Sequence, residues 1–217
     1  MNGELAGAAS IRSRGLSLGF VGLALSAVFM LGVHIVGSGQ IDAVGSTLST
    51  LVFVDGYGWM FGASVLAMAV AAVGLVSLSE GLLRNTLAVV AVCCVLVAVF
   101  PTNRSGPLTV SAEIHRYAAG VAFFLVPVAA LLVIRRLGRG TVERRWLVRS
   151  MAGTAALLVV FLVSHFGVVP EAMQDMRGVF QRMMFVLQLL ILAQLLRTQR
   201  PATPAVAVRR VPVPVAA

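Results

Sequence analysis

Lysine is missing from the chain, whose seventeen basic residues are all arginine. A retinal Schiff base, a pyridoxal linkage and a phosphate-binding P-loop each need a lysine amine, so those three classes are excluded. Cysteine is almost missing. Cys93 and Cys94 are adjacent within an apolar run, where they are expected to pack as small hydrophobes rather than to close a strained vicinal disulfide or hold a metal. Charge is scarce as well: 12% of residues are charged and 59% hydrophobic, whereas a soluble domain carries roughly 25% charged residues. A soluble fold of 217 residues needs polar residues over its whole surface, and here they gather in short islands between long apolar runs. Lipid is therefore the solvent, in keeping with a mean hydropathy of +0.97.

A net charge of +9 and a pI near 11.5 would suit nucleic acid only if the basic residues shared one solvated face. Instead the arginines cluster beside the ends of hydrophobic segments, where anionic headgroups attract them. No nucleic-acid partner is expected.

The apolar runs are Leu16 to Val36, Tyr57 to Leu78, Leu82 to Phe100, His115 to Ile134, Leu147 to Val169 and Gly178 to Leu196. Each approaches the roughly 20 residues that carry a helix across about 30 Å of hydrocarbon, whereas membrane strands are short and alternate. The first run has full spanning length and is read as a retained helix rather than a signal peptide. The expected fold is all-α, a polytopic bundle of six transmembrane helices. A segment over 1–15 precedes the transmembrane domain at 16–197. A tail over 198–217, interrupted by Pro201, Pro204, Pro212 and Pro214, is expected to be disordered.

Orientation follows from the arginines. Arg104, Arg116, Arg177 and Arg182 fall on one side of the bilayer, and the other thirteen on the side of the termini. This predicts a multi-pass protein of the cell membrane with both termini cytoplasmic.

Intramembrane polar residues are costly, so their placement is informative. His34, His115 and His165 all lie near outer helix ends, with Asp42, Asp55, Glu113, Glu171 and Asp175 on the same side. Arg182, beside Gln181, either snorkels to the headgroups or turns inward to pair with Glu113 or Asp55. Gln188, deeper in the sixth span, is expected to bond between helices. His34, His115 and His165 are the alternative metal ligands, although no HxxxH or HxxE spacing puts two ligands on one helical face. No cofactor is expected. Gly58 and Gly62 suggest a groove for close helix packing, Tyr57 and Trp59 an interfacial belt, and Pro127 a kink. Ser164 and His165 point about 100° apart on a helix and form no dyad by themselves.

The run Phe100-Pro101-Thr102-Asn103, then Ile114-His115, then Gly178-Val179-Phe180-Gln181-Arg182 resembles the prokaryotic membrane family catalogued as domain of unknown function 998. Its members have six predicted helices, a Phe-Pro-Thr-Asp ending the third, a histidine opening the fourth and a Gln-Arg pair opening the sixth. Here Asn103 replaces the usual Asp, against any scheme needing a carboxylate there. Over Ile114 to Phe123 the chain also resembles the eukaryotic six-helix proteins related to DRAM and Sfk1. That likeness covers one helix and implies a connection with lipids.

The expected function is non-enzymatic binding or movement of a lipid or similar amphiphile, with membrane lipids as partners. The expected pocket lies between helices three, four and six, with His115, Gln181 and Arg182 on the head group, Thr102 and Asn103 at the rim and Glu113 nearby. Arginine pairs bidentately with phosphate, which suggests an anionic head group. One alternative is a membrane-embedded hydrolase, metal-dependent or with His115 as general base beside Glu113. Another is a structural subunit bound to other membrane subunits. His115, placed at the start of its helix, is poorly explained as a dipole partner. It serves either a ligand or a hydrogen bond to Thr102 or a backbone carbonyl.

Overall fold

Where apolar runs meet lipid, the backbone must satisfy itself internally, which leaves helices as the spanning elements. The computed structural model describes residues 2–104, 106–167 and 169–199. Six of its helices are long and apolar enough to cross a membrane. They lie within α1 (Asn2–Val36), α2 (Trp59–Val76), α3 (Gly81–Val99), α4 (Val110–Ile134), α5 (Val142–His165) and α7 (Arg177–Thr198). A one-turn α6 (Glu171–Gln174) and a 3₁₀ helix (Leu48–Phe53) stand in the connections. The tail expected beyond Thr198 lies, after Gln199, outside the described residues.

Three helices start earlier than hydropathy alone suggests. Thr109 caps α4, its hydroxyl accepting from the Ala112 amide at 3.2 Å, and Thr141 caps α5 by accepting from Arg144 at 3.3 Å. Hydropathy is blind to such capping turns, because they are polar. α1 extends back to Asn2, through a stretch rich in alanine that carries no proline. His115 is thus well inside α4 rather than at its start, and the helix-dipole argument for it falls away.

Successive helices pack in order, α1 on α2, α2 on α3, α3 on α4 and α4 on α5. α7 lies against α5 and also touches α1, α2 and α4. Arg12 donates to the carbonyl of Gln199, so the start of α1 and the end of α7 share one end of the bundle, the terminal end. The opposite, or loop, end carries the 3₁₀ helix and α6.

The closest helix approach is the seam between α1 and α2. A β-carbon at Gly74 would stand 2.6 Å from both the Gly15 carbonyl oxygen and the Gly19 amide nitrogen, and one at Gly22 would stand 2.6 Å from Ala67 and Ala71 backbone atoms. Backbones in such contact gain dispersion that larger side chains would prevent, and in lipid this packing replaces a hydrophobic driving force. Farther along, Ser64 donates to the Ser26 carbonyl at 2.8 Å, and the two hydroxyls lie 3.2 Å apart. The expected groove at Gly58 and Gly62 is not this seam. A β-carbon at Gly62 would find only the Ala98 carbonyl, at 3.9 Å, and Gly58 is crowded by Val52 of the 3₁₀ helix. Cys93 and Cys94 are free and buried, as their apolar run implies. Tyr57 and Trp59 are exposed.

Candidate functional site

The loop end is held by a strap from α1 to the 3₁₀ helix. Asp42 folds it by accepting from the amides of Val44 at 2.9 Å and Gly45 at 3.0 Å. The Val44 carbonyl then accepts from Gly178 at 2.9 Å, and Gly45 accepts from Arg177 Nε at 2.9 Å. The Val44 carbonyl, which also accepts from Val179 at 3.3 Å, thereby satisfies amides that the first turn of α7 would otherwise leave orphaned. Gln181 reaches back with Oε1 to accept from the Leu48 amide at 2.6 Å, serving the first turn of the 3₁₀ helix. Arg104 donates to the carbonyl of Phe53 at 3.0 Å, serving its last.

His115 is buried, and its Nδ1 lies 3.0 Å from the Val97 carbonyl and 2.8 Å from the Phe100 carbonyl. Carbonyls only accept, so Nδ1 carries the proton and caps the exposed end of α3. Of the two expected roles, the backbone-carbonyl bond is therefore present. Nε2 remains as the ring atom open to a ligand.

His115 and Gln181 both line one cavity of about 50 Å³, which Gln188, Phe61 and Phe185 also line. Gln188 donates from Nε2 to the Phe123 carbonyl of α4 at 3.0 Å, the interhelical bond expected of it, while its Oε1 is buried without a partner. None of the lining side chains is a carboxylate or guanidinium. His115, Phe61 and Val97 also line a second cavity of about 360 Å³ at the α2–α3 surface, whose walls include Trp59, Leu66 and Ala98.

The other expected pocket residues stand apart. Arg182 does turn inward, but its partners are His34 Nε2 at 2.9 Å and the carbonyls of Ser46 at 2.8 Å and Gly178 at 3.0 Å, not Glu113 or Asp55. Neighbouring residues on a helix diverge by about 100°, which sends Gln181 to the cavity and Arg182 to the strap. Asn103 donates to the carbonyls of Gly106 at 3.4 Å and Pro107 at 3.1 Å, closing its own loop. An aspartate could not make those donations. Thr102 lines neither cavity. Glu113 is exposed while His115, two residues on, is buried, so no carboxylate from this helix turn assists the imidazole.

The three histidines do not converge on an ion. His34 pairs with Arg182, His165 Nε2 lies 2.7 Å from Arg116, and His115 serves α3. Among the described residues no group of three His, Cys, Asp or Glu has metal-binding geometry. The two Arg–His pairs are cross-helix contacts that spacing along the chain does not reveal.

No curated protein and no solved structure matches the chain. The family described as protein of unknown function (DUF998) matches residues 18–198, from within α1 to the end of α7, and the chain belongs to that family.

Proposed function

We propose that this protein binds, or helps to move, a lipid or similar amphiphile without catalysing a reaction. The observation that carries this reading is that His115 lines both the small inner cavity, where the amides of Gln181 and Gln188 also stand in a mostly apolar wall, and the larger cavity beside it. Alone, the inner cavity of about 50 Å³ holds a few waters or a small head group. Together with the roughly 360 Å³ between α2 and α3 it enters the size range of ligand sites, about 300–1,000 Å³. A polar end would meet His115 Nε2 and Gln188 Oε1, and an apolar body would run past Leu66 and Ala98. A lining without guanidinium favours an uncharged hydrogen-bonding head over the anionic one that Arg182 suggested. Retention of native lipids by the purified protein tests this, with His115→Asn as the comparison. Asparagine keeps a donor near Nδ1 and removes Nε2, so it should fold and lose the lipid. Equal retention by both proteins removes the idea.

The site is assigned to the outer leaflet of the cell membrane by the arginine bias, which places the terminal end in the cytoplasm. A reporter active only outside the cytoplasm should work when fused after Gly106 or Met173 and fail after Gly140 or Ala217. The reverse pattern overturns the orientation.

A further inference from the structure

A groove lies at the other end of the molecule, between α5 and α7. Residues at helical spacing on α5 (Trp146, Arg149, Ser150) face residues at helical spacing on α7 (Leu187, Gln194, Arg197) across a groove of about 550 Å³. Its polarity is graded along the helix axes. Arg197 is in the last turn of α7 and Arg149 is about 10 Å inside the start of α5, at 1.5 Å per residue. Leu187 and Leu190 lie roughly 10–15 Å farther from the terminal end than Arg197 by the same rise. Both guanidinium groups are exposed, and Arg149 rests 5.7 Å from the centroid of the exposed Trp146 ring, an arrangement suited to the interfacial zone.

The floor of the groove narrows the chemistry. Gln194 Nε2 donates to Ser150 Oγ at 3.1 Å, and Gln194 Oε1 is buried without a donor. In lipid such an acceptor is costly unless something donates to it. Two guanidinium groups call for phosphate, Oε1 for a hydroxyl or amine hydrogen, and the leucines for an acyl chain. Glu143, exposed and also at the groove, is the one opposing carboxylate against those two cations.

We propose that this groove binds an anionic glycerophospholipid whose head group carries a hydroxyl donor, with phosphate on Arg149 and Arg197 and the hydroxyl on Gln194. The site is independent of the His115 cavities, and either can fail without the other.

Native mass spectrometry of the full chain, loaded with equal amounts of phosphatidylglycerol, phosphatidylmethanol and phosphatidylcholine of matched chains, tests the assignment. The wild-type protein should retain phosphatidylglycerol over phosphatidylcholine by about tenfold, and phosphatidylmethanol to an intermediate degree. The double variant Arg149→Gln/Arg197→Gln should bring phosphatidylglycerol to within about twofold of phosphatidylcholine. Gln194→Leu should erase only the preference for phosphatidylglycerol over phosphatidylmethanol. Arg135→Gln/Arg136→Gln removes the same charge outside the groove and should change nothing. If the double variant misfolds, the exposed single change Arg197→Gln is read in its place. Selectivity surviving in the groove variants, or lost equally in the control, overturns the proposal. So does a purified dimer with Trp146 buried at its interface.

Discussion

Gln188 Nε2 donates at 3.0 Å to the Phe123 carbonyl, the acceptor that Pro127 leaves without a helical donor. α4 continues across Pro127, yet proline has no N–H to return to the residue four before it. A glutamine on α7 supplies that donor from across the bundle.

This coupling predicts a non-additive pair. Gln188→Leu should destabilise the protein by about 1 kcal/mol, the usual size of a membrane interhelical hydrogen bond. With Pro127→Ala, which returns an amide to Phe123, the same change should cost little. Unfolding midpoints of the two single variants and the double variant check this, and simple additivity within about 0.5 kcal/mol sinks it.

Gly178 is required by the strap. A β-carbon there would stand 2.6 Å from the Val44 carbonyl and closer still to that of Ser46. Both oxygens are backbone atoms that cannot swing aside, so Gly178→Ala should cost about 1–3 kcal/mol and speed amide exchange at Gly45 and Ser46. Gly120 has nothing within 4 Å of its β-position, and Gly120→Ala should be silent. Equal exchange in the two variants would remove the strap from the account.

His115→Ala should destabilise the protein, because it strips a donor from two carbonyls at the end of α3. The loss expected is about 1–3 kcal/mol, and His115→Asn should recover most of it. A thermal midpoint unchanged in the alanine variant would mean that the ring is held for ligand alone.

The bundle was legible because lipid demands long apolar helices, and each of the six expected runs overlaps a helix of the structure, although the fifth runs past α5, which ends at His165. Partners across the bundle were less so. Gln181 and Arg182 are neighbours in sequence and diverge in space, one to the cavity and one to the strap, since helical rotation separates what spacing joins. His34, some 150 positions away in the chain, lies beside Arg182 for reasons of packing alone. Glycine spacing pointed to Gly58 and Gly62, yet the tight seam is at Gly15, Gly19, Gly22 and Gly74, because small residues permit close approach without requiring it.

The three histidines should share one tautomer. Arginine donates and never accepts, so the Arg182–His34 and Arg116–His165 contacts make each Nε2 an acceptor without a proton. The proton then sits on Nδ1. In His34 that atom lies 2.7 Å from the Met30 carbonyl, which accepts it, and in His165 it is buried without a partner. His115 reaches the same state by another route, since its Nδ1 faces two carbonyls. Nitrogen-15 spectra of histidine-labelled protein should therefore show protonated Nδ1 at all three sites, with unprotonated Nε2 at His34 and His165. Arg116→Met should release His165, whose Nδ1 has no acceptor, toward the Nε2–H form, and leave His34 and His115, whose Nδ1 atoms face carbonyls, as they were. A spectrum in which His34 already carries its proton on Nε2 would break the pairing with Arg182, and with it the account of what holds that guanidinium inside the bundle.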